Sequence, residues 1–191
     1  MRSPENYRII VENALDAYLG SGQAGLQPGE IPDLLRGAMR YSLMAGGKRL
    51  RPSLLLATAE ALGGDMEQCL PFACALEMIH TYSLIHDDLP GMDDDSLRRG
   101  KPTSHVVYGV GQAILAGDAL LSEAFELMLR YAQPKTSHLN AMREIAFAAG
   151  ARGMVAGQSL DLLCERDNIK SEETLSYIHQ NKTARMLAAP R

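Results

Sequence analysis

The sequence predicts an all-α protein, one helical bundle over residues 1–191, from three observations. Ala, Leu and Met dominate, there is no Trp and only three Phe, and β-branched runs are scarce, a composition that favours helices. Apolar residues recur at three- and four-residue spacing along most of the chain. Clusters of Gly and Pro separate the periodic segments.

Ser3-Pro4 reads as an N-cap followed by a first-turn proline, opening a helix over Pro4–Leu19 whose apolar face is Tyr7, Ile10, Val11, Ala14, Leu15 and Tyr18. Gly20–Gly29 reads as a loop. A second helix is expected from about Pro32 to Ala45, with Leu34, Leu35, Ala38, Met39, Ser42 and Leu43 at helical spacing. GGKRLRP (Gly46–Pro52) then interrupts the pattern. It lacks the glycine spacing of a P-loop, but a basic turn between helices suits a phosphate or diphosphate; its bland alternative is an exposed basic turn. Ser53–Leu62 is a short apolar helix ended by Gly63-Gly64. The next helix begins near Asp65-Met66 or Leu70-Pro71 and runs to an acidic stretch, with Phe72, Ala75, Leu76, Ile79 and Leu84 as core.

That stretch, IHDDLPGMDDDSLRR (Ile85–Arg99), places Asp87, Asp88, Asp93, Asp94 and Asp95 within nine residues and closes on Arg98 and Arg99. Five acids at the end of an apolar helix repel one another, so positive charge is expected among them. Oxygen-only ligands favour a hard divalent ion such as Mg²⁺. His80, Ser83 and Leu84 fall on the acid-bearing side of the helix, where His80 is either a ligand contact or a structural histidine. Pro90-Gly91 break the helix and let Asp93 fold back toward Asp87 and Asp88. The bland alternative is a solvated acidic loop.

Gly100–Thr103 is a loop. Ser104–Tyr131 reads as one long helix or two short ones, with Gly111 and Gly117 as close-packing or kink positions, and Gln133-Pro134 ends it. Ser137–Cys164 reads as another long helix with a thin side of Ala and Gly. On it, Gln158 and Asp161 are either a buried hydrogen-bonded pair or part of a cavity wall. Ser171 caps the last helix, which carries Tyr177, Ile178, Asn181, Lys182, Thr183 and Met186.

The chain has 191 residues and a net charge of −4, which suits one domain with a real core and gives no general affinity for nucleic acid or anionic membrane. No segment is apolar enough to span a bilayer and no cleavable leader is evident. Cys69, Cys74 and Cys164 lack zinc spacing and an even count, which points to free thiols in a reducing cytoplasm. A basic turn, a Mg²⁺-binding acidic stretch and an apolar wall together suit a substrate with an anionic head and a hydrocarbon tail. The metal makes diphosphate a better leaving group, and the resulting carbocation needs a dry pocket.

The sequence resembles the short-chain trans-isoprenyl diphosphate synthases, nearest to the bacterial farnesyl diphosphate synthase (geranyltranstransferase) type. The matching segments are GGKRLRP, EMIHTYSLIHDDLPGMDDDSLRRGKPTSH (Glu77–His105), GDALL (Gly117–Leu121), AGQSLDL (Ala156–Leu162) and HQNKTARML (His179–Leu187). The resemblance implies an isoprenoid synthase-type helical bundle that condenses isopentenyl diphosphate with dimethylallyl or geranyl diphosphate. It implies Asp87, Asp88 and Asp93 as Mg²⁺ ligands; Gly47, Lys48, Arg51, His80 and Arg99 at the isopentenyl diphosphate; and Arg98, Gln158, Lys182 and Thr183 at the allylic diphosphate, with Asp87, Asp88 and Lys182 as catalytic residues. It also implies a homodimer and a chain-length role for Tyr82 and Ser83, which suits farnesyl makers. On an ideal helix, however, Ser83 lies below Asp87 while Tyr82 points roughly 140° away. These 191 residues lack the family's second Asp-rich motif and the helices that bear it. This raises the expectation of a fragment, or of a partner covering the missing wall, and of low activity. A non-catalytic binding subunit and a terpene cyclase are the alternatives.

Overall fold

The computed structural model describes residues 2–20 and 29–189; the expected loop at Gly20–Gly29 lies, apart from its two end glycines, outside the described residues. Helix α1 spans Pro4–Leu19. The Ser3 side chain caps it by accepting from the Asn6 amide, and Pro4 stands in the first turn where its missing N–H costs nothing. Tyr7, Val11, Leu15 and Leu19, one per turn, are buried. Helix α2 (Asp33–Leu43) is shorter than expected and leaves Leu34 exposed; Ala38, Met39 and Leu43 carry its packing.

Helix α3 spans Leu50–Ala61 and α4 spans Met66–Asp87. Asp65 caps α4 by accepting from the Glu67 and Gln68 amides, so of the two possible starts the earlier one is used, with Pro71 inside the helix. Every residue from Pro71 to Ile79 is buried. Such a helix is enclosed on all sides rather than amphipathic: α1, α2, α3, α6 and α7 all pack on it.

After α4 the chain makes a two-residue hairpin, β1 (Leu97–Arg98) with β2 (Lys101–Pro102), where a plain loop is expected. Arg99 and Gly100 both have positive φ, 54° and 77°, the turn geometry whose twist matches paired strands. Gly109, with φ 84°, divides the next segment into α5 (Ser104–Tyr108) and α6 (Val110–Tyr131). The division falls at neither of the expected kink positions: Gly111 lies inside α6 and Gly117 packs against His86 of α4.

The long helix expected over Ser137–Cys164 is two helices, α7 (Thr136–Ala149) and α8 (Met154–Asp167). The stretch of small residues is a turn. Gly153 passes so close to the Ala148 carbonyl that a Cβ there would overlap it. Helix α9 (Glu172–Ile178) follows, capped by Ser171, and leads through a π-helical turn (His179–Ala184) into α10 (Arg185–Ala188). Gly157 of α8 lies directly against the Lys182 backbone in the π turn, so the two segments pack as one wall. That wall faces the carboxyl-terminal half of α4 across a cavity.

Arg49 ties this frame together. Its side chain is 1% exposed, and its backbone is left-handed, with φ 47°. It donates to Glu77 of α4 at 2.8 Å and to the Leu43 carbonyl at 2.7 Å, and lies 3.5 Å from Glu12 of α1. Of the three cations in GGKRLRP, the middle one is therefore structural. Replacing Glu77 by Ala leaves a buried guanidinium without its main counter-charge. This is expected to destabilise the fold by ~3–5 kcal/mol, read from urea unfolding, whereas Arg49→Met with Glu77→Leu loses much less.

Candidate active site

Helix α4 ends at Asp87, with Asp88 as its C-cap. The chain turns at Pro90-Gly91 and returns, so that the Asp93 amide donates to the Asp87 carbonyl at 2.8 Å. This is the expected fold-back, and it sets Asp93 beside Asp87. Asp88 goes elsewhere. It is 3% exposed, and both its oxygens accept from Arg98: Nε at 2.9 Å from each and Nη2 at 2.6 Å from Oδ1. The hairpin that carries Arg98 is what delivers it to this carboxylate.

Asp87 lines a cavity of about 470 Å³ with His80, Tyr82, Ser83 and His86 on the α4 side, and with Met154, Gln158, Lys182 and Thr183 on the opposite wall. Burial pushes the Asp87 carboxyl up to about 6; Lys182 opposes the rise and Asp93 reinforces it. Lys182 Nζ donates to Asp161 at 2.6 Å. Asp161 thus pairs with the π turn rather than with Gln158, whose Oε1 is buried in the cavity wall without a partner among the described residues. Tyr82 and Ser83 both line the cavity, because the cavity wraps round α4 rather than lying over one stripe. The sequence reading did not place His86 and Met92 in this lining. Only the one-turn spacing of His86 from Tyr82 could have suggested the first.

A second pocket of about 340 Å³ is formed by Gly47, Lys48, Arg49, Arg51, Glu77, His80 and Arg99. Arg99 donates to the Gly46 carbonyl and lies flat on Gly47, where a Cβ would come within 2.5 Å of its guanidinium. Arg51 and His80 belong to both pockets. Burial holds the His80 ring down to about 3, helped by Arg51 and Arg99 and then by Arg98 and Arg49, so the imidazole is neutral at physiological pH. The site therefore joins a basic pocket to an apolar cavity with acids at its rim.

The three expected metal ligands are not brought together as a set. No group of three His, Cys, Asp or Glu among the described residues is arranged to hold a metal, and Asp88 is taken by Arg98. Asp87 and Asp93 do fit Mg²⁺, which usually takes one or two carboxylates and completes its shell with water and substrate phosphate. Burial is the main reason Asp87 holds its proton more tightly, and a cation beside it would favour the ionised form.

The sequence matches the polyprenyl synthetase family over residues 32–191. It is 52% identical over 180 residues to the farnesyl diphosphate synthase of Geobacillus stearothermophilus, covering 93% of this chain and 58% of that protein. It is 48% identical over 182 residues to the geranylgeranyl diphosphate synthase of Cyanophora paradoxa, covering 94% and 58%. The crystal structure of a geranyltransferase from Legionella pneumophila superposes with a TM-score of 0.89 at 36% identity, over 98% of this chain and 65% of that one. The chain thus spans 58% of the length of these two curated relatives. With its helical architecture and motif order, this chain belongs to the polyprenyl synthetase family.

Proposed function

We propose that the chain carries the substrate sites of a Mg²⁺-dependent prenyltransferase joining isopentenyl diphosphate head-to-tail to dimethylallyl or geranyl diphosphate, with fifteen-carbon farnesyl diphosphate as product. The observation that carries this reading is the meeting of a basic pocket and an acid-rimmed apolar cavity at Arg51 and His80. A terpene cyclase has no need of a second anion pocket.

In this reading Lys48, Arg51 and Arg99 bind the isopentenyl diphosphate, and Gly47 leaves room for the Arg99 fork. Neutral His80 offers that head a hydrogen bond without adding charge. Asp87 and Asp93 hold Mg²⁺, which supplies Lewis-acid stabilisation of the departing diphosphate. Asp88 orients Arg98 toward the allylic head in place of the metal role expected for it. Lys182, held by Asp161, and Thr183 face the same head from the opposite wall, and Gln158 presents its free amide oxygen to the cavity. The apolar lining keeps water from the allylic cation. Tyr82 at the cavity lining favours the fifteen-carbon product over a longer one. Three free thiols suit a reducing cytoplasm, and no helix among the described residues is long and apolar enough to cross a membrane.

A homodimer is also proposed. Val106 and Val107 of α5 with Val110 and Ile114 of α6 form an exposed apolar stripe of the kind that marks a protein contact. Sedimentation is expected to show a dimer, with Val110→Asp plus Ile114→Asp giving monomers; a monomeric parent chain refutes it.

The central test is condensation of labelled isopentenyl diphosphate with geranyl diphosphate by the 191-residue chain in Mg²⁺. Farnesyl diphosphate is expected at low turnover, with Asp87→Ala lowering that turnover about 10²–10³-fold further. Substrate binding without product identifies a non-catalytic subunit, and consumption of geranyl diphosphate alone identifies a cyclase. A sharper check uses Gly47→Ala, which pushes Arg99 off its seat. Losing a charged hydrogen bond of about 1.5–3 kcal/mol weakens isopentenyl diphosphate binding by about 10–100-fold in calorimetry, while binding of a ten-carbon allylic analogue is unchanged.

A further inference from the structure

The roles above give no task to His86, whose ring lines the cavity. His86 lies one turn beyond Tyr82 on α4, and both line the cavity. Their rings meet edge to face, with centroids 5.7 Å apart and planes at 82°. His86 Nε2 is 3.1 Å from the Ile114 carbonyl oxygen of α6 and 3.8 Å from the Asp118 carboxylate. A carbonyl oxygen only accepts, so Nε2 carries the proton and donates. The imidazole occupies space that exists because residue 117 is glycine: a Cβ there would overlap its Nε2 and Cδ2. Tyr82 is thus backed by a ring that is itself fixed to the neighbouring helix.

We propose that His86 is a positioning residue for tail length, holding the Tyr82 ring across the cavity through its seat on Ile114 and Gly117. The proposal rests on the prenyl-transfer reading, since the depth of the cavity matters only to a growing hydrocarbon tail. Tyr82 makes the barrier. His86 prevents that barrier from swinging toward α6 as the tail presses on it, and Gly117 provides the niche in which His86 stands. Ser83, on the adjoining part of the lining, has no such backing: its hydroxyl donates to the His80 carbonyl of its own helix.

The test measures binding of non-hydrolysable allylic diphosphate analogues with ten- and twenty-carbon tails to the 191-residue chain in Mg²⁺, by calorimetry, and so does not depend on turnover. The parent chain is expected to prefer the ten-carbon analogue by about tenfold or more, the scale on which a pocket rejects a few excess methylenes. His86→Ala and Gly117→Ala, the second acting from another helix, are each expected to erase most of that preference while leaving ten-carbon binding intact. His86→Phe, which restores a ring against Tyr82 but cannot donate to Ile114, recovers only part of the preference. Because His86 acts through Tyr82, His86→Ala added to Tyr82→Ala changes nothing further. Circular dichroism confirms that each variant folds, and Gly117→Ala carries the test if His86→Ala does not. An unchanged preference in the alanine variants, or additive effects in the double variant, overturns the proposal alone. Failure of the ten-carbon analogue to bind the parent chain overturns the prenyl-transfer reading and this proposal with it.

Discussion

Two carboxylates at the carboxyl end of a helix buried on every side form an unfavourable arrangement, and much of the structure serves to make it tolerable. The helix dipole places partial negative charge at that end, Asp87 and Asp88 add to it, and Asp93 folds back onto the same spot. Screening by water is limited at Asp88, which is buried, and at Asp87, which is partly so. Two elements supply the missing positive charge. The hairpin brings Arg98 to Asp88, and the π turn brings Lys182 to the cavity wall facing Asp87. The Asp87 carboxyl is still pushed up to about 6, chiefly by burial and against the pull of Lys182.

The same economy of charge governs the other half of the site. GGKRLRP holds three cations, yet Arg49 is consumed by Glu77 and the Leu43 carbonyl to fix α1, α2 and α4. Lys48 and Arg51 line the basic pocket, and Arg99 joins them from the hairpin. The left-handed backbone at Arg49 is the local cost of turning that side chain inward while its neighbours face outward. A cluster that looks uniform in sequence is divided between frame and pocket by one residue with a left-handed backbone.

Much of this was legible in the sequence. The cap and helical spacing placed α1 to the residue, α4 was placed at its end but left with two possible starts, and Pro90-Gly91 implied the return of Asp93 to Asp87. The failures have physical causes. Gly109 and the Gly150–Gly153 stretch interrupt helices because of a left-handed backbone and a close carbonyl approach, whereas Gly111 and Gly117 do not; composition alone cannot separate a glycine that turns the chain from one that admits a neighbour. The π turn at His179–Ala184 spans only six residues, too few for sequence periodicity to separate it from α-helix. The partners of Asp88 and Asp161 are set by tertiary placement of Arg98 and Lys182, and five acids in nine residues offered no reason to single out Asp88.

Tyr82 shows how such a local argument goes astray. An ideal helix points it away from Asp87, which counts against a role in the cavity. The calculation assumes that the cavity faces a single stripe of the helix. Here α8 and the π turn stand off from α4 far enough for the cavity to reach round it, and Tyr82, Ser83, His86 and Asp87 all line it. The separation of helices decides which angular positions are reachable, and that separation depends on small residues elsewhere, with Gly157 drawing α8 against the π turn and Gly117 admitting His86 at the α4–α6 contact. Glycines outside the lining thus contribute to the cavity, by joining α8 to the π turn and by seating His86 against α6.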